Sequence, residues 1–276
     1  MSNFGKLLNW EITRFSKFYG ALFVITLLLQ LLDVWLYTHD YMNNAERAME
    51  SQSMTAVQYV QNYSKASLNG YDNILFDWSI SLCGVTLLLY IFLIWYKEWV
   101  GRSTFAYRLL MLPTSRMNVY LAKLSAILLF VWGLVAYQFL LIYVQIAAFE
   151  ALIPSEFRQD LTVTEIIRQH PLLKILLPSY FNEFALYYGA GLVSVIILFT
   201  AVLLERSYRF KGIGAGILYS GVAAFLIILP QIISEVWFPD FFFPSELILL
   251  ELVMGILVTA FSVWFSSYLL HKKVTV

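Results

Sequence analysis

The residues best placed for chemistry are polar side chains set at helical spacing inside otherwise apolar runs. Thr26, Gln30, Asp33 and Tyr37 fall at i, i+4, i+7 and i+11, on one helical face. Ser79, Cys83, Thr86 and Tyr90 repeat the spacing in a second run, and Glu251, Gly255, Thr259, Ser262 and Ser266 nearly repeat it in the last. In lipid such stripes must turn inward, where they either hydrogen-bond helix to helix or line a pathway. Thr26, Gln30, Asp33, Ser79, Thr86, Glu251 and Thr259 are therefore the candidates for lining a pathway. Catalytic chemistry is not suggested. His39, His170 and His271 are scattered without ligand spacing, one cysteine (Cys83) forms no internal disulfide, and no metal cluster is expected. Neither a G-x-x-x-x-G-K-[ST] phosphate loop nor an H-E-x-x-H or G-x-S-x-G motif occurs.

The elements that must position these residues follow from composition. The chain of 276 residues is 60% hydrophobic and 13% charged, with a mean hydropathy of +0.72. Soluble domains are about half apolar and about a quarter charged. A cytosolic enzyme, a disordered chain and a disulfide scaffold are all excluded on that ground. Crossing a bilayer takes about 20 mostly apolar helical residues. Six stretches qualify, Phe18–Thr38, Leu75–Trp95, Val119–Phe149, Tyr180–Leu204, Ile213–Ser234 and Leu247–Leu270. The expected fold is all-α, a single six-span membrane domain. None of the stretches looks like a cleaved signal peptide.

The net charge of zero conceals an asymmetry. With six crossings, 13 of the 18 Lys and Arg residues fall on the side of the two termini, and the two sides carry +10 and −10. Lysine and arginine excess marks the cytoplasmic side, so both termini are expected there, in a bacterial plasma membrane. Residues 1–17 form an expected separate element, an amphipathic elbow helix in the membrane interface with Phe4, Leu7, Leu8, Glu11, Ile12 and Phe15 on one face. On the outer side, 40–74 is predicted to contain a short helix. Thr162-x-x-Glu165 reads as a capping box before Pro171, and residues 172–177 are too short to span. The aromatic, proline-bounded segment 237–244 reads as a re-entrant or interfacial turn, and Pro230 is expected to break the fifth span and free Gln231. Asp33, Asp77, Glu183, Glu235, Glu246 and Glu251 all fall toward that side, either as a vestibule for a cationic substrate or as ordinary outer charge. Gly212, Gly216, Ser220 and Ala224 recur every four residues, a ridge along which a helix of this chain or of a second copy can approach closely.

The most distinctive stretch is 96–118, between the second and third spans, followed by Lys123. Glu98, Gly101 and Arg102 precede Leu109, Leu110, Leu112, Pro113, Ser115 and Arg116. A helix leaves the membrane, Gly101 punctuates it, a short amphipathic run stops at Pro113, and Thr114 or Ser115 can cap the next helix. In this motif and in its six-span plan the chain resembles the permease subunits of ABC-2 type exporters. It departs from them at Gly101-Arg102, where the family usually has Gly-Thr.

The resemblance implies a permease that pairs with a second copy or a related permease in membrane lipid. A separate cytoplasmic P-loop ATPase would bind ATP and Mg, and no cofactor or nucleic acid is expected on this chain. Glu98, Gly101, Arg102, Leu110, Leu112, Pro113, Ser115 and Arg116 would form the coupling segment seated in the ATPase. The polar stripes and aromatic outer loop suit an amphipathic or cationic cargo such as a peptide antibiotic, and a lipid or polysaccharide almost as well. The alternative is a secondary transporter driven by an ion gradient. It calls for inverted repeats and a midplane carboxylate, whereas Asp33 and Glu251 lie toward one end of their spans and no repeat is detectable.

Overall fold

The computed structural model describes residues 3–68, 74–99, 115–208, 210–237 and 242–272. Among the described residues there are nine α-helices and no β-strand. They are α1 (Asn3–Gln52), α2 (Ala56–Tyr63), α3 (Ile74–Trp99), α4 (Arg116–Leu152), α5 (Val163–Gln169), α6 (Pro171–Leu176), α7 (Phe181–Tyr208), α8 (Phe210–Ile232) and α9 (Pro244–Lys272). Six of them (α1, α3, α4, α7, α8 and α9) are long and apolar enough to cross a membrane. Helix is the form such runs must take in lipid, because it satisfies every backbone group within the segment. The outward faces agree with a lipid surrounding: Leu28 is 60% exposed, Ile256 67% and Ile217 71%, while Thr26, Gln30, Ser79, Ser262 and Ser266 are buried.

The helices outrun the apolar stretches that nucleate them. α1 is one unbroken helix of 50 residues where an elbow and a separate span are predicted. No proline interrupts it, and around residue 17 only Gly20 is a poor helix former. At a rise of 1.5 Å per residue it is roughly 75 Å long, well beyond a bilayer core. It ends where Ser53 takes a left-handed φ of 50°, after which Thr55 and Gln58 cap α2 reciprocally. This is the short helix predicted within 40–74. Thr162 and Glu165 form the predicted capping box at the start of α5, and Pro171 opens α6 in the first helical turn, where its missing N–H costs nothing. Pro230 does not break α8, contrary to expectation. The helix continues through Gln231 to Ile232 and then widens into a π-helical turn at Ile233–Trp237. A single lost N–H bond is absorbed by the continuing ladder, and the widened turn follows within one turn of the proline. Of the predicted turn at 237–244, residues 238–241 lie outside the described set.

By its contacts the chain divides into two compact units. The first comprises Phe15–Thr86 and Phe130–Ser179. Val34, Ala45, Tyr59, Phe149 and Phe157 form one of its cores, and Phe76, Ile142, Ile166 and Leu173 another. A backbone bridge joins Ala66 to the 157–159 segment, with the Ala66 N–H donating to Phe157 O and the Gln159 N–H to Ala66 O, both at 2.8 Å. The second unit comprises Met1–Arg14, Leu87–Leu129 and Tyr180–Val276. Here α7, α8 and α9 pack on Val193, Ile197, Ala223 and Val258.

Candidate functional site

In the first unit the polar stripe of α1 becomes a closed network centred on Gln30, which is 1% exposed. Its amide nitrogen donates to Ser79 Oγ at 2.9 Å and to Gln138 Oε1 at 2.8 Å. Its carbonyl oxygen accepts from Gln145 at 3.0 Å and from Gln138 at 3.4 Å. A carboxamide has two N–H donors and two acceptor sites, so Gln30 is saturated. Ser79 passes its own proton to Phe76 O at 2.7 Å, while Thr26 donates to Leu22 O at 2.7 Å and touches Cys83 Sγ at 3.2 Å. Asp33 is buried one turn further along α1. Thr86 stands apart, its hydroxyl bonded back to Leu82 O of its own helix. Gln138 and Gln145 are the members that sequence reasoning missed. Their signal was two glutamines seven residues apart in an apolar run, one face of α4. Chemically this network bolts α1, α3 and α4 together and has no spare donor at its centre.

In the second unit the stripe of α9 divides. Ser262 and Ser266 are fully buried in packing contacts: Thr200 Oγ1 lies 2.9 Å from Ser266 Oγ, and Tyr219 OH meets Ser262 Oγ. Glu251 and Thr259 instead line a cavity of about 680 Å³ between α7, α8 and α9, with Ser194, Gln231 and Gly255. The small-residue ridge of α8 is used within the chain. Gly212 and Gly216 are buried, and a Cβ added there would lie 2.6 Å from Glu205 Cα and 2.9 Å from Ala201 O of α7. Ser220 is half-buried, and Ala224 joins the cavity wall.

A third constellation stands at the helix ends that border 100–114. Lys123, wholly buried, donates to Glu11 Oε1 at 2.6 Å and to Ile94 O at 3.0 Å, and sits 5.3 Å from the ring centre of Trp95. Glu11 is 3% exposed, so this is a desolvated ion pair tying the start of α1 to α3 and α4. Tyr96 donates to Glu205 of α7, and the Arg206 guanidinium covers its ring. Arg116 donates to the backbone carbonyl of Leu270 in the last turns of α9, where orphan carbonyls and the helix dipole favour a cation. Ser115 is exposed just before α4. Gly101, Arg102, Leu110, Leu112 and Pro113 lie outside the described residues, as does the side chain of Glu98, whose backbone belongs to the last turn of α3.

Away from the spans, burial pushes the His170 imidazole below its ordinary pKa, against the opposing pull of the Asp77 carboxylate 3.4 Å away. The Thr162 backbone and hydroxyl hold Glu165 below the usual carboxylate range. Among the described residues no three His, Cys, Asp or Glu side chains converge as a metal site would require. Against this geometry, comparison of the chain with protein-family models, with curated proteins and with solved structures finds no match.

Proposed function

We propose that the chain is the membrane permease subunit of an ATP-binding cassette exporter. It pairs with a second copy or a related permease and is driven by separate cytoplasmic P-loop ATPases that bind ATP and Mg. The observation that carries this reading is the run from Glu98 to Lys123 between the second and third apolar helices, on the side holding 13 of the 18 cationic residues. That charge bias supports cytoplasmic termini, and the reading puts the chain in a bacterial plasma membrane with the first turns of α1 in the interface. Residues 98–116 then face the ATPase.

Supporting the reading are the anchors on either side of that segment. Tyr96 is bonded to Glu205, Lys123 to Glu11 and Ile94, and Arg116 to Leu270. A displacement of 100–114 by an ATPase would therefore be passed directly to α1, α7 and α9. The cargo is an amphipathic molecule such as a peptide antibiotic.

The test is affinity purification of the full chain from its native membrane. Copurification of a P-loop ATPase whose turnover needs this chain supports the reading, and Glu98→Lys with Arg102→Glu then lowers that turnover by at least about tenfold through lost interface charge pairing. Purified chain that transports in liposomes on an ion gradient alone, indifferent to both substitutions, overturns it in favour of a secondary transporter.

A further inference from the structure

We propose that the cavity between α7, α8 and α9 is a binding site for a lipophilic protonated amine, with Glu251 as its counter-ion. At about 680 Å³ the cavity has the size of sites that hold drug-like molecules, about 300–1,000 Å³. Its wall is mostly aliphatic, and among the described residues no Lys, Arg or His lines it. Glu251, two turns inside α9, is the only charged group among the described residues that line it, and it is partly exposed.

The two hydroxyls that line the cavity share one bias. Ser194 donates its hydroxyl proton to Ala190 O at 2.8 Å, and Thr259 donates its own to Gly255 O at 2.8 Å. The Gln231 amide nitrogen is engaged with Glu235 Oε1 at 3.3 Å. What remains of each hydroxyl is an acceptor oxygen, while Gln231 keeps its carbonyl oxygen and one N–H. A cavity whose hydroxyl protons are consumed, and whose one charged lining group is a carboxylate among acceptor oxygens, matches an N–H donor carrying positive charge. It repels an anion on the same grounds. Size is set by small residues: a Cβ added at Gly189 meets nothing within 4 Å, and at Gly255 only Val193, at 3.9 Å. An acyl chain fills an apolar groove without needing Glu251, whereas an ammonium needs the carboxylate. The site does not depend on the exporter reading, since binding is measured on the chain alone.

The experiment is equilibrium dialysis of tritiated imipramine, a lipophilic tertiary amine protonated at neutral pH, against the full chain in phosphatidylcholine nanodiscs. Empty nanodiscs correct for partitioning into lipid. The expected result is saturable binding at one site per chain. Glu251→Gln weakens it at least about tenfold, the scale of one lost charge-assisted contact. Gly189→Phe abolishes it by filling the cavity, and thermal unfolding shows both variants folded. Iminodibenzyl, the same tricycle without the basic dimethylaminopropyl chain, and tetraphenylborate, an anion, fail to compete. Absence of saturable binding overturns the proposal, and so does Glu251→Gln binding as the parent does. Equal competition by iminodibenzyl also overturns it and marks the cavity as a lipid groove. If Glu251→Gln does not fold, Gly189→Phe and the two competitors decide the matter.

Discussion

The Gln30 network and the Glu251 cavity begin as the same sequence feature, a polar stripe along an apolar helix, and end as opposites. Opposite Gln30 the first unit supplies Ser79, Gln138 and Gln145, which use every donor and acceptor of its carboxamide. Opposite Glu251 the second unit supplies Gly189 and aliphatic side chains, which leave space and no cation. A stripe therefore marks a buried face, and the residues across from it decide between a bolt and a site. Closed polar centres hold helices together, while open ones keep their binding capacity for something else.

The sharpest break of this contrast is at the closed centre that bears full charge. Lys123→Met leaves the Glu11 carboxyl buried without its cation, and loss of one partner of a buried pair costs about 3–5 kcal/mol. The double variant Lys123→Met with Glu11→Met recovers most of that loss. Reversible unfolding in mixed micelles measures both, and a double variant as damaged as the single one would contradict the desolvation account. Next comes Gln30→Leu, which takes a partner from Gln138 and Gln145 while Ser79 keeps its bond to Phe76 O, at about 1–3 kcal/mol in all. Glu251→Gln, by contrast, changes stability by no more than about 0.5 kcal/mol, because among the described residues no hydrogen bond or ion pair is made to Glu251. Equal losses in the two variants would erase the distinction between the regions.

Gly216→Val forces a side chain against the α7 backbone at Ala201 and lowers stability by about 1–3 kcal/mol. The same change at Gly189, where space is open, leaves the unfolding midpoint nearly unmoved. The smallest effect is at His170. Its imidazole is held neutral, so the unfolded chain takes up the proton first, and stability is full above about pH 6.5, the ordinary histidine value, and declines below it. His170→Phe flattens that slope, which denaturation at pH 5 to 8 would reveal.

Much of the fold was legible because lipid imposes simple rules. Apolar length located all six long helices, and the Thr162–Glu165 capping box and Pro171 marked their elements by local chemistry alone. Boundaries were less legible: nothing polar halts a helix, so α1 and α4 run on past their apolar cores until a residue such as Ser53 turns left-handed. At the site, spacing singled out Gln30 and Glu251 but not their different fates. Gln138 lies 108 residues from Gln30, and Lys123 lies 112 from Glu11. No local pattern encodes which distant groups will meet. Glu11 itself reads as one member of an amphipathic face, although its carboxylate is the anchor of a buried pair.

The wide separation of Gln30 from its partners also bears on how the chain is made. During synthesis α1 emerges first, and Gln138 and Gln145 follow 108 and 115 residues behind Gln30. At roughly 5–20 residues per second, α1 waits on the order of 5–20 s with its Gln30 carboxamide lacking both glutamine partners. Over that interval the nascent chain depends on the insertion machinery, or on water reaching Gln30, to shelter it. Ribosome-arrested chains ending at residue 130 should thus crosslink from position 30 to that machinery, and chains carried past residue 185 should release it. Crosslinking unchanged between the two lengths would show that α1 is settled before its partners arrive.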